Sequence, residues 1–265
     1  MHPMINIAIR AARRAGNVML RALDRIDTLR VEEKGRHDYV SEVDRRAERE
    51  IVQTIRRAYP NHAVLGEEGG EHGHNDVRWI IDPLDGTTNF LHGIPHFAVS
   101  IAVEIKGRIT HGVVYDPVKN ELFTASLGSG AALNERRIRV SGRPSLDGAL
   151  LGTGIPFRDD QNLDVYLETL RALVRNTAGV RRPGAAALDF AYVACGRFDA
   201  FWEFGLHYWD LAAGALLVQE AGGIVSDFRG GSDYPKSGNV LCANPKLHDR
   251  MRRILAEVLP AEYQR

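Results

Sequence analysis

The chain has 265 residues, enough to bury a substantial core as one large domain or as two closely joined halves. Its 34 lysines and arginines balance 34 aspartates and glutamates, and 44% of its residues are apolar. Bulk charge therefore directs it neither to nucleic acid nor to a membrane, and local acidic clusters carry more information than the total.

Ile5, Ala8, Ile9, Ala12, Ala15, Val18, Met19, Ala22 and Leu23 recur at helical spacing, which predicts an amphipathic helix over about 4–26. The polar, glycine-containing "VEEKGRHDYVSEVD" reads as a turn or hairpin. A second helix is predicted from about Val43 to Tyr59, with Ala47, Ile51, Ile55 and Ala58 on one side and "YPN" as its stop. "HAVLGEEGGEHGHNDV" reads as a short strand entering a loop, ahead of the strand "RWIID". From Phe97 to about Val140, "FAVSIAVEI", "RITHGVVYD" and "ELFTASL" form an antiparallel meander joined by "KG" and "PVKN".

Beyond Arg143 strands and helices alternate. Strand "ALLGTGI" precedes a helix over Leu163–Val174, and "GAAALDFAYVACG" forms another. Strand "FDAFWEF" leads to helix "DLAAGALLVQEAGG", strands "GIVSDF" and "NVLCAN", and a last amphipathic helix from about Lys246. Such alternation favours sheets covered by helices. We divide the chain into an N-terminal lobe, 1–145, and a C-terminal lobe, 146–265. The N-terminal stretch lacks the apolar core of a signal peptide, and no apolar run approaches the roughly 20 residues that span a bilayer. Cys195 and Cys242 sit in apolar settings as free thiols. Together these features predict a cytoplasmic protein.

Three stretches place carboxylates at the ends of regular elements: "LGEEGG" with Glu67 and Glu68, "WIIDPLDGTTNF" with Asp82 and Asp85, and "HYWDLAAGALL" with Asp210. Pro83 biases Asp82 towards an extended conformation, so Asp82, the Leu84 carbonyl and Asp85 can aim oxygens at one point. Hard oxygen donors without paired cysteines suit Mg²⁺ or Ca²⁺. Two carboxylates about 5 Å apart repel by roughly 3 kcal/mol at an effective dielectric near 20, and a divalent ion turns that repulsion into ligation. Gly86, Thr87, Thr88 and Asn89 then supply backbone N–H groups for an oxyanion, and Thr87 a hydroxyl for an attacking water.

Each feature also has an ordinary explanation. Alone, "DPLDG" reads as a turn, Asp210 and Asp44 as helix caps, and Glu67 and Glu68 as solvated loop charges. His72 and His74 read as an exposed loop, and "GSGA" at 128–131 as a turn between strands.

Taken together the motifs resemble the inositol monophosphatase family, closest to the bacterial inositol-1-monophosphatase type, within a wider group of Mg²⁺-dependent, lithium-sensitive phosphatases. "WIIDPLDGTTNF", "WDLAAGALLVQEAGG" about 120 residues later, and the upstream "GEEGG" carry the resemblance, which extends over nearly the whole chain. It implies an αβαβα layered sandwich, a homodimer, and magnesium held by Glu67, Asp82, the Leu84 carbonyl, Asp85 and Asp210. Thr87 would orient the nucleophilic water, with Asp44 behind it, while Gly86 and Thr87 amides hold the phosphate. Gly184, Ala185, Ala186 and Glu203 match the stretches that contact sugar hydroxyls, and Lys34 matches a mobile basic residue.

The implied activity is hydrolysis of a small polyol phosphate, inositol 1-phosphate first. The alternatives are a fructose-1,6-bisphosphatase or adenosine 3′,5′-bisphosphate phosphatase, or a non-catalytic role on RNA or transcription machinery through "NERRIR" (134–139) and "VRRPG" (180–184).

Overall fold

Trp79, Ile80 and Ile81 form a continuous apolar run because their strand is buried on both faces. Trp79 and Ile81 enter one core, and Ile80 enters another on the opposite side. A computed structural model of the chain describes residues 2–26, 31–35, 38–156 and 162–263, with side chains left out over 31–40.

The chain opens with α1 (Pro3–Leu23), the strands β1 (Val31–Gly35) and β2 (Asp38–Ser41), and α2 (Glu42–Ala58). Next come β3 (Ala63–Gly66), β4 (Gly70–His72), β5 (Val77–Asp85) and the short α3 (Thr87–Leu91). The meander comprises β6 (Ala98–Ile105), β7 (Arg108–Asp116), β8 (Glu121–Ser126), β9 (Gly130–Leu133) and β10 (Arg136–Arg137). Then follow β11 (Leu150–Thr153), α4 (Leu163–Val174), β12 (Gly179–Arg181), α5 (Ala186–Ala194) and β13 (Ala200–Glu203). The last elements are α6 (Tyr208–Glu220), β14 (Ile224–Ser226), α7 (Tyr234–Ser237), β15 (Val240–Ala243) and α8 (Pro245–Val258).

Two large sheets result, in the orders β10-β9-β8-β7-β6-β5-β3-β4 and β12-β11-β13-β15-β14. Three cores fill the spaces between layers. Ala8, Ala12, Met19, Ile51 and Ile55 of α1 and α2 pack on the outer face of the first sheet. Phe190 and Leu188 of α5 and Leu211 and Leu217 of α6 lie between the sheets, against Ile80 and Val114 on one side and Phe201 and Cys242 on the other. Val165 and Leu173 of α4 and Met251 and Leu255 of α8 cover the far face of the second sheet with Trp202 and Leu241. The αβαβα sandwich is therefore the fold, and α5 and α6, apolar on nearly every side, are its central layer.

Some boundaries differ from expectation. α1 stops at Leu23 rather than near residue 26, and α2 begins at Glu42 because Ser41 caps it. The segment after the second helix is a β3–β4 hairpin rather than a strand entering a loop, and β3 runs parallel to β5. β5 continues through Pro83 to Asp85, with a shift in register opposite β6 between Asp82 and Asp85. The irregularity accommodates a proline without an N–H and turns both aspartates out of ordinary strand pairing. Among the described residues, no helix is long and apolar enough to cross a membrane.

Candidate active site

The parallel pairing of β3 with β5 sets Gly66 beside Ile81, so Glu67 arrives next to Asp82. Two bonds hold it there: the Glu67 N–H donates to Ile81 O at 3.1 Å, and the Glu68 N–H donates to Glu48 Oε2 at 2.9 Å. Asp82 folds back on its own chain, its Oδ1 accepting from the Leu84 N–H at 3.0 Å across Pro83. Opposite Asp82 on β6 stands Ser100, whose hydroxyl donates to Trp209 O at 3.3 Å and so ties the start of α6 to the sheet. A second tie joins the same places: the Tyr208 hydroxyl donates to Glu104 at 2.7 Å, and Glu104 pairs with Arg78 at 3.0 Å. Asp210 is the third residue of α6, not its N-cap; its Oδ2 accepts from the His207 N–H at 2.7 Å.

Asp85 is clamped by the start of α5. The first N–H groups of α5, those of Ala186 and Ala187, donate to its two oxygens at 3.2 and 2.7 Å. A helix N-terminus thus serves a side-chain carboxylate. Asn89 fastens the approach by donating to the carbonyls of His96 and Pro183, each at 2.8 Å.

Glu67, Asp82, Leu84, Asp85, Gly86, Thr87, Gly184, Ala185, Ala186, Glu203 and Asp210, all singled out from sequence, line one cavity of about 140 Å³. Asp44 stands behind it. It caps α2 together with Ser41, and its Oδ1 accepts from the Thr87 hydroxyl at 2.9 Å, so the helix cap also touches a residue that lines the cavity. The same hydroxyl lies 3.0 Å from the Leu84 carbonyl. Lys34 falls on β1, where side chains lie outside the described residues. Gly86 adopts φ +93° as the N-cap of α3, and a Cβ there would meet His96 O at 3.1 Å and Gly184 O at 3.2 Å. Only glycine suits both the left-handed backbone and the close approach.

Thr88, singled out from sequence with its neighbours as an anion donor, lines the cavity too, whereas Thr153, Gly154, Arg182 and Asp189 line it and were not assigned to it from sequence. Arg182 belongs to "VRRPG", read above as one possible surface for RNA or transcription machinery; its side chain lines the cavity. Gly154 makes room for Glu203, since a Cβ on it would stand 1.8 Å from Glu203 Oε1. The "GSGA" turn receives Glu220, whose carboxylate accepts from the N–H groups of Gly128 and Gly130 at 2.8 and 2.7 Å.

The electrostatics are one-sided. Among the lining residues Glu67, Asp82, Asp85, Asp189, Glu203 and Asp210 face a single guanidinium, that of Arg182. Burial, followed by the charges of Glu67, Asp85 and Asp210 and a hydrogen bond with Glu67, pushes the Asp82 carboxyl well above the usual carboxylate range. Burial pushes Asp85 up to about 7, against the pull of the Ala187 and Ala186 amides. Burial also raises Asp44, opposed by its bonds to Ser41 and Thr87. A Glu67–Asp82 hydrogen bond requires a proton between the two acids, or a cation in its place. Among the described residues no three histidine, cysteine or carboxylate side chains are already drawn into a finished metal cage. The donor set nevertheless fits a hard divalent cation: every available donor is oxygen, including the Leu84 carbonyl, and negative charge is in excess.

A model of the inositol monophosphatase family matches residues 1–259. A Nus factor SuhB of Pseudomonas aeruginosa is 59% identical over 271 aligned residues, covering 100% of both chains. Among solved structures, the extragenic suppressor protein suhB of Bartonella henselae superposes with a TM-score of 0.93 at 46% identity, over 96% of this chain and 98% of its own. An inositol monophosphatase from Anabaena superposes with a TM-score of 0.84 at 38% identity, over 98% of this chain and 97% of its own.

Proposed function

The chain belongs to the inositol monophosphatase family, and from that premise and the cavity's donor set we propose that it hydrolyses the phosphate monoester of a small polyol with Mg²⁺, inositol 1-phosphate foremost. The observation that carries this reading is the meeting of Glu67, Asp82, Asp85 and Asp210, from three separate stretches, at one cavity with the Leu84 carbonyl.

These five residues would hold the magnesium. When bound, it would supply charge neutralisation at the phosphate and the leaving oxygen and would acidify water. The chain's own part is placement and proton transfer. Gly86 and Thr87, at the start of α3, would offer their N–H groups to a phosphate oxygen, and Arg182 at the cavity would attract the anion. Thr87 Oγ1 accepts a hydrogen of the attacking water while donating its own to Asp44. As the water attacks, its proton moves to Thr87 and the Thr87 proton moves to Asp44 Oδ1, whose burial makes it a competent acceptor. Glu203, laid over Gly154, receives a hydroxyl of the polyol.

The test is phosphate release from inositol 1-phosphate, glycerol phosphate, fructose 1,6-bisphosphate and adenosine 3′,5′-bisphosphate, with magnesium and after chelation. Inositol 1-phosphate is expected to give the highest kcat/KM, and chelation to abolish release. Undiminished turnover after chelation would reject the metal, and preference for a bisphosphate would reject the substrate. Glu203→Ala is expected to narrow the preference for inositol phosphate over glycerol phosphate by about tenfold, the worth of one hydrogen bond of roughly 1.4 kcal/mol.

Tyr208→Phe tests the anchoring of Asp210. Loss of the bond to Glu104 is expected to cost about 1 kcal/mol of stability and to raise the magnesium concentration for half-activation several-fold. An unchanged magnesium midpoint would separate this network from the site.

A second role is proposed on the relatives alone. The Pseudomonas relative is called a Nus factor, which favours an additional association of this chain with transcription machinery. Co-purification with transcription proteins that survives Asp82→Asn would support it; the absence of such partners would count against it.

A further inference from the structure

Asp189 is a buried acid on the cavity wall that neither the sequence motifs nor the proposed mechanism uses. It lies one turn into α5 and is 1% exposed. Its Oδ1 is buried without a hydrogen-bond partner among the described residues. Native interiors rarely leave a polar atom in that condition, because an unmade bond costs the full desolvation of the group. The side chain also lines the cavity, on the side where the ends of β11 and β13 bring Thr153, Gly154 and Glu203.

We propose that Asp189 is a specificity-determining residue, whose carboxyl receives the polyol hydroxyl seated deepest between α5 and the ends of β11 and β13. The inference rests on the polyol phosphate reading of the cavity and adds to it a residue that reads the alcohol rather than the phosphate. An acceptor oxygen is present whether or not the acid carries its proton, so either form receives a hydroxyl hydrogen. Burial, Glu203 and Asp85 favour the neutral acid, against the pull of Arg182, and the neutral form can in addition donate to the hydroxyl oxygen. A purely structural role accounts for less. Asp189 stands in the first turn of α5, where an acid complements the helix dipole, but that interaction calls for neither burial nor a place on the cavity wall.

The test measures kcat and KM of the full chain with inositol 1-phosphate and its monodeoxy analogues, for wild type, Asp189→Leu and Asp189→Asn. Wild type is expected to discriminate against one analogue by about 10,000-fold in kcat/KM, as sites built around a substrate hydroxyl do. Asp189→Leu is expected to lose that discrimination, with the loss in KM rather than kcat, and Asp189→Asn, which keeps an acceptor, to recover most of it. If the leucine variant does not fold, Asp189→Ala replaces it, since alanine suits the helix. A wild type active on polyol phosphates but showing equal discrimination in the variants overturns the inference alone. A wild type inactive on every polyol phosphate overturns the polyol reading and the inference with it. A change confined to Tm, with selectivity intact, assigns Asp189 to the helix dipole instead.

Discussion

Asp82→Asn is expected to lower magnesium-dependent phosphate release by at least about 1,000-fold, some 4 kcal/mol in the barrier, while the metal-free protein melts no lower than wild type. The asymmetry follows from the site's charge. Asp82 is 2% exposed, among Glu67, Asp85 and Asp210, and shares a hydrogen bond with Glu67. Asparagine mimics its protonated form and can donate to Glu67, but it offers a magnesium ion no charge. Added magnesium should therefore raise the melting temperature of wild type and not that of the variant. A variant that retains both turnover and magnesium stabilisation would remove Asp82 from the ligand set.

The same carboxyls give the metal-free protein an unusual pH dependence. Asp82 and Asp85 have folded-state pKa values raised above those of the unfolded chain, Asp85 to about 7. Between the unfolded value of about 4 and that level, the folded state holds more protons, so stability falls as pH rises. Their contribution is complete below about pH 4 and, for Asp85, lost as pH passes through about 7. Thermal melts in chelator are expected to show this decline across that window, and Asp82→Asn to flatten part of it. Excess magnesium should reverse the trend, because the ionised acids bind it best.

Thr87→Val is expected to lower kcat by about 100- to 1,000-fold with little change in KM, the range typical of losing proton transfer in the transition state. Valine keeps the shape but removes the hydroxyl that joins Asp44 to the site and touches the Leu84 carbonyl. Asp44 Oδ1 would be left buried without that donor, at about 1–3 kcal/mol of stability. Ser41 still holds Oδ2, so the helix cap survives. Thr87→Ser should restore most of the rate. If serine is as poor as valine, the methyl group matters and the relay does not.

Much of the fold was legible because its signals are local. The helical spacing of Ile5, Ala8, Ala12, Ala15 and Met19 marks α1 by itself, and they are buried together. The meander from β6 to β9 needs only alternating strands and short turns, and Lys106, Gly107 and Asn120 take the left-handed backbone that such turns require. The acidic motifs named the metal-ligand candidates, and their likeness to a family supplied the expectation that they converge.

What the chain alone determined is the set of elements, the acids at their ends and the family they belong to, since periodicity, caps and motifs act within a few residues. Tertiary structure decided which of those ends meet. The register of β3 against β5 places Glu67 beside Asp82, the α5 N-terminus grips Asp85, and bonds from Ser100 and Glu104 bring Asp210 to them. The same packing buries Asp189 with an unpaired oxygen and draws Arg182 to the cavity, neither of which a local pattern marks. The reason is physical: a side chain's periodicity selects the face it shows, whereas the neighbour on that face comes from strand pairing and helix docking between distant parts of the chain.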